Sequence, residues 1–163
     1  MLRDDYMLRL AEQVGSAIAA GLAEGGPGTT TGMSDDLATL CRQHVGIDLT
    51  IVLGLSPDGL RELLAQSGPA SVPKSAALAE ILLAQGRLAE RRGDRAVVVP
   101  CHVHAFHLLR MCGPAVRVAD ICVHEAKITA TADRLRELGL SAYVDHETAR
   151  RLDEAGLSGP LPR

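Results

Sequence analysis

RAVVVPCHVHAFHLLRMC, residues 95–112, decides the fold. Val97, Val98, Val99 and Val103 are β-branched and suit a strand. Asp94, just ahead of them, is a good helix N-cap, and Pro100 sits six residues in, where it removes the bond to the carbonyl of Ala96. A strand over 96–104 would stand alone, because the rest of the chain offers it no partner and its ladder groups would be orphaned. The stretch therefore reads as a helix with a kink at Pro100.

The same segment gathers Cys101, His102, His104 and His107 from a chain with four cysteines and six histidines, which raises the question of a metal. On a helix Cys101, His104, Ala105, Leu108, Met111 and Cys112 share one face. His102 joins Phe106 and Leu109, and His107 turns toward Val103 and Arg110. The group thus splays around most of the helix. Cys101 with His104, or His104 with His107, could give two ligands at i and i+3, and Cys122 or His124 of the next helix would have to complete the shell. Cys101, His104, His107 and Cys122 are the candidate ligands, but the cysteines lack the paired CxxC spacing of zinc or redox sites. The favoured reading is structural: Cys101, Cys112 and Cys122 as small core residues, His104 as a satisfied core histidine, His102 and His107 partly exposed. A Cys101 nucleophile activated by His104 is geometrically allowed, yet no oxyanion donor or acidic orienter is identifiable. His124-Glu125 lacks the second histidine of a zinc-protease helix. No cofactor and no enzymatic activity are expected.

Outward from this helix the pattern stays helical. Residues 1–22 hold an amphipathic helix whose stripe includes Tyr6, Met7, Leu10, Val14 and Ile18. A flexible linker is expected over 23–33, rich in glycine and threonine; it lacks the preceding strand and the Lys-Ser/Thr of a phosphate loop. The helical core spans 34–112. Ser34 or Asp35 caps a helix carrying Leu37, Leu40, Cys41 and Val45 and closing at Gly46. A short turn stops at Gly54, and Ser56-Pro57 starts another helix that stops at Gly68-Pro69. Pro73 opens a long helix with Leu78, Ile81, Leu82, Gln85 and Leu88 buried, ended by Gly93. A C-terminal hairpin is expected over 113–157: one helix carrying Val118, Ile121, Cys122, Glu125, Ile128, Ala132 and Leu135 to Gly139, then another from Asp145 to Ala155. Residues 158–163 form a tail.

Composition narrows the partners. With 163 residues, 47% of them hydrophobic, but one phenylalanine, two tyrosines and no tryptophan, a single core must be filled by Leu, Ala, Val and Ile, which suits closely packed helices. A net charge of −3 gives no broad positive field. Arg87, Arg91, Arg92 and Arg95 are interleaved with Glu90 and Asp94, so that stretch reads as a solvated face, and no nucleic-acid partner is expected. No segment approaches the ~20 apolar residues of a membrane span, and Asp4, Asp5 and Glu12 break up any signal-like run. On one helix Cys101 and Cys112 would lie ~16 Å apart, beyond disulfide reach. Reduced thiols in the cytoplasm are the simplest account.

Asp-Asp-Tyr-Met-Leu-Arg-Leu at 4–10, Gly-Ile-Asp-Leu at 46–49, Leu-Gly-Leu-Ser-Pro-Asp-Gly-Leu at 53–60, Pro-Lys at 73–74 and Gly-Asp at 93–94 before a helix with Ala105 form an ordered set. Over roughly residues 1–112 the chain resembles an uncharacterised family of small bacterial all-helical proteins with one tetratricopeptide-like helical hairpin. The resemblance implies Gly93 at the hairpin turn and Ala105 at its close helix contact, and it carries no known activity, so it leaves function open. It departs at Pro100 and at the histidines. A second glycine turn follows at Gly139, a spacing that is not a regular 34-residue repeat, so a compact bundle is favoured over a solenoid. The expectation is a single all-α bundle of seven or eight helices. Its role would be non-enzymatic protein binding or scaffolding, with a homodimer through the N-terminal stripe. The alternative is a metal- or small-ligand-binding bundle that uses the cluster at 101–107.

Overall fold

The structure, a computed structural model, describes residues 29–113 and 120–154, with single positions at 9, 15, 16, 20 and 116. Among these residues there are seven α-helices and no strand, so the chain is an all-α bundle. They are α1 (Thr29–Leu40), α2 (Leu49–Gly54), α3 (Pro57–Ala65), α4 (Ser71–Arg92), α5 (Arg95–Cys112), α6 (Ile121–Glu137) and α7 (Ser141–Glu154). Tyr6, Met7, Leu10, Val14 and Ile18 lie outside the described residues, as do Pro114 and Val118.

The centre of the fold is the antiparallel pair α4–α5. Gly93 takes a left-handed conformation at φ 70°, its N–H bonds Glu90 O, and the Asp94 N–H bonds Ala89 O. This is the Schellman arrangement, which reverses the chain within two residues. Along α4 nearly every side chain from Ala77 to Ala89 is buried, and many of them are alanine. Small residues let its neighbours approach on several sides. That is how a chain so poor in aromatics fills its interior. Leu37, Val45, Val52, Leu60 and Leu64 from the first three helices close the core with Leu78, Leu82, Leu88, Ala105 and Leu108.

Pro100 does not interrupt α5, which runs unbroken from Arg95 to Cys112 and rules out the strand over 96–104. In the second turn of a helix a proline removes a single intrahelical bond. Asp94 stands at the N-cap position, although its side chain makes no cap bond.

Several boundaries move. Helix α1 starts at Thr29, inside the 23–33 stretch expected to be a linker. Neither Ser34 nor Asp35 caps it: the Ser34 hydroxyl instead pairs with the Gln85 amide on α4, at 3.1–3.2 Å. A π-helical turn, Cys41–Val45, ends α1, its last bond running from Gly46 N to Cys41 O. Asp48, a cap the sequence reading missed, accepts from Thr50 N at 2.9 Å and starts α2. Ser56 caps α3 as expected. Helix α4 begins at Ser71, so Pro73 falls in its first turn, where its missing N–H costs nothing. Helix α7 begins at Ser141, four residues before Asp145, right after a second Schellman turn at Gly139.

Helices α6 and α7 close over α5 through a small cluster of Phe106, Ala132, Leu135 and Val144. The packing is lopsided. Thr131, Ala132 and Leu135 in the second half of α6 are buried, whereas Ile121, Cys122, Val123 and Glu125 in its first half are exposed. The long buried stripe expected for this helix is therefore true only of its C-terminal half.

Candidate functional site

The three histidines of α5 radiate to three different neighbours. His102 Nε2 lies 3.0 Å from Glu90 Oε1 on α4. The same oxygen accepts from Arg134 Nε of α6 at 2.6 Å, and Arg134 Nη1 reaches Glu137 at 2.6 Å. Gly86 makes the first of these contacts feasible: a Cβ there would sit 3.1 Å from His102 Nε2 and 3.4 Å from Cys101 Cβ. Burial would raise the Glu90 carboxyl, but the bonds from Arg134 and His102 outweigh it and hold it below its usual range. Burial drives His102 the other way, lowering its pKa against the pull of Glu90. The two directions together describe a carboxylate bound by Arg134 and a neutral imidazole.

His104 is buried and hydrogen-bonds the backbone of Leu55, the residue that closes α2. Desolvation lowers its pKa, and its buried Nδ1 has no hydrogen-bond partner among the described residues. His107 shares a hydrogen bond with Tyr143 Oη on α7 and lies 3.9 Å from Glu147 Oε2. Burial, with Glu147 adding to it, pushes the Tyr143 hydroxyl up to about 12. So α5 is tied by imidazoles to α4, to the end of α2 and to α7. Against expectation His102 is buried rather than partly exposed, because the glycine at 86 opens room for its ring.

Two polar bonds of the same kind fasten α6. His124 Nε2 donates to Leu109 O at 2.7 Å, and Arg95 Nη2 donates to Leu138 O at 2.6 Å. Both carbonyls belong to helix ends, where the last four have no intrahelical partner. Gly113 N bonds Arg110 O instead of Leu109 O, which leaves Leu109 O open to the imidazole.

The candidate metal ligands are not brought together. Cys101 and His104 are buried on α5, His107 faces Tyr143, and Cys122 is exposed on α6, a correction to its expected place in the core. Among the described residues no group of three or more His, Cys, Asp or Glu could hold a metal ion. Burial pushes the Cys101 thiol up to about 12, with Asp94 adding to it, so it is a protonated core group rather than a thiolate.

What remains open is the start of α6. Ile121 is 42% exposed, Val123 60%, and Cys122 between them is also exposed. Successive helical residues differ by about 100°, so these three sweep most of the circumference and only the His124 direction faces inward. A cleft of about 440 Å³ adjoins α6, floored by Phe106, Ile128, Ala132 and Val144 and edged by Arg110 and Arg136. Arg110 lies over the Phe106 ring, 5.2 Å from its centroid. Sequence reasoning missed Glu90, Arg134 and Tyr143 as partners of the histidines. Symmetry about the Gly93-Asp94 turn places positions 85 and 86 opposite His102 and Cys101, so it points to Gly86 and gives no signal for Glu90. Among the described residues no helix is long and apolar enough to cross a membrane. No protein-family model, curated protein or solved structure matches the chain.

Proposed function

We propose that the protein is a non-enzymatic interaction or scaffold module that binds another protein, or itself, through apolar helix faces. The observation that carries this is the first turn of α6, where Ile121 stands in solvent one turn before Glu125 on the rim of a cleft with an apolar floor, and Val123 stands exposed on the other side of the helix. Exposed apolar side chains mark association sites when they adjoin a concave feature. The N-terminal stripe of Tyr6, Met7, Leu10, Val14 and Ile18 supplies the second face and the route to a homodimer. Gly15 lies against its own chain, a Cβ there meeting Glu80 Oε2 at 3.0 Å, so exchange would move this contact to a second copy. The tetratricopeptide-like reading of α4–α5 has support in the Gly93 turn and in the complete burial of Ala105. A cytoplasmic setting is consistent with four free cysteines.

Light scattering on the full chain over a range of concentrations tests self-association. The paired variant Ile121→Asp/Val123→Asp should shift any dimer to monomer, and Leu10→Asp/Val14→Asp tests the N-terminal face. A wild type that stays monomeric throughout removes the dimer. For a foreign partner, affinity capture from the native cell with wild type and the α6 variant side by side should lose one defined protein; identical captured sets would remove the α6 surface. A small ligand is the second reading, favoured by the cleft over Phe106. It predicts a concentration-dependent rise in thermal midpoint for a compound that fills it.

A further inference from the structure

The arginines near the end of α4 differ in their surroundings from those elsewhere in the fold. Arg42, Arg61, Arg134, Arg136 and Arg150 each hold a carboxylate, and Arg95 holds the Leu138 carbonyl. Arg87, Arg91 and Arg92 are exposed and hold no carboxylate among the described residues. The sequence placed Glu90 among them as a neutralising neighbour. In the fold Glu90 is turned inward, to His102 and Arg134, and its charge is already shared. Asp94 is exposed beyond the turn and leaves the three arginines in excess. Nor do the arginines need to cap the helix, because Gly93 N and Asp94 N already satisfy Glu90 O and Ala89 O.

We infer that this face of α4 docks an acidic segment of a protein partner, a proposal that rests on the interaction-module reading above. Arg87 and Arg91 are one helical turn apart, about 6 Å along the axis, which matches carboxylates presented one turn apart on a facing helix. Planar guanidinium groups bind such carboxylates in pairs. A nucleic acid fits less well. Phe106, the chain's one phenylalanine, is buried in the cluster under α6, leaving no phenylalanine beside the arginines to stack a base.

The test is a fluorescence-anisotropy titration of the full chain with a labelled peptide whose glutamates are spaced four residues apart. A peptide with glutamine at those positions is the control, and a single-stranded oligonucleotide of equal charge the rival. The glutamate peptide should bind and weaken as salt rises. Arg87→Glu/Arg91→Glu should weaken it by about tenfold or more, since like charges face each other. Arg61→Glu, exposed on α3, should leave it unchanged. All variants should stay folded, with unfolding midpoints within a few degrees of wild type, because these side chains lie in solvent and the Arg61–Asp58 pair and the helix dipole each contribute little there. Absence of binding up to about 1 mM peptide, or equal binding by the Arg87/Arg91 variant, overturns the inference. In that case the interaction reading still stands on the Ile121/Val123 variants. Tighter binding of the oligonucleotide overturns the acidic-protein partner and counts against the interaction reading as well.

Discussion

Removing the Glu90 carboxylate should loosen the joint between α4, α5 and α6 at once. Glu90→Ala takes the one partner that His102 Nε2 has among the described residues, and because Nδ1 of that ring is unbonded among them too, a buried imidazole is left unsatisfied. Leaving a buried polar group unsatisfied costs about 1–3 kcal/mol. Arg134 also loses its 2.6 Å bond, but it keeps Glu137 and is partly in water, so its share is discounted to about 0.5–1 kcal/mol. The sum is about 1.5–4 kcal/mol, and for a chain of this length each kcal/mol moves the thermal midpoint by about 2–4 °C. A drop of roughly 3–16 °C is expected by circular dichroism, with a matching fall in urea midpoint at unchanged slope. Glu90→Gln keeps an acceptor and should cost about 1 kcal/mol. Exposed Glu62→Ala is the control and should move little. If Glu90→Ala lies within about 0.5 kcal/mol of wild type, the joint contributes nothing and the account of the histidines is wrong.

Gly86→Val should destabilise by about 2–4 kcal/mol, since its branches must displace His102 and Cys101, whereas in Gly86→Ala the better helix propensity roughly offsets the 3.1 Å contact; equal midpoints for Val and Gly would refute close packing there. With Ellman's reagent, Cys122 should react at once and Cys41, Cys101 and Cys112 only after denaturation; more than one fast equivalent would show that the core thiols are accessible. The folded pKa values of His102 and His104 lie below the unfolded 6.5, so the unfolded chain binds more protons between the two values. Stability should be full above about pH 6.5 and fall as pH drops through the folded values, with Glu90 adding a further loss below its ordinary 4.5. A thermal midpoint flat between pH 7 and 5 would contradict this.

The helices were legible because their punctuation is local. Gly46, Gly93 and Gly139 adopt the left-handed conformation their positions demand, and Ser56-Pro57 starts α3 through its own side chain and ring. Helix α4 begins at Ser71 without a side-chain cap, and Ser34 does not cap α1 because its hydroxyl answers Gln85, 51 residues away. Pairings of that range leave no trace in spacing along one chain. The histidines illustrate the same limit. Their composition invites a metal, but where each ring points was decided by Gly86, Leu55 and Tyr143, on three other elements. The half-open α6 was hidden for a similar reason: its stripe is continuous in sequence, whereas the helices it meets cover only its second half.

The tight reversal at Gly93 also sets an order in time. Partners in α4 and α5 lie close along the chain, so bringing them together loses little loop entropy, and this pair is expected to condense first with the remaining helices settling onto it. Helix α7 rests on a small cluster and α6 on half its length, so these two should detach and return many times before the central pair once opens. Amide hydrogens of α6 and α7 would then exchange with deuterium well ahead of those in α4. The apolar surface on α6 that we assign to association would breathe, whereas the arginine face of α4 would stay rigid.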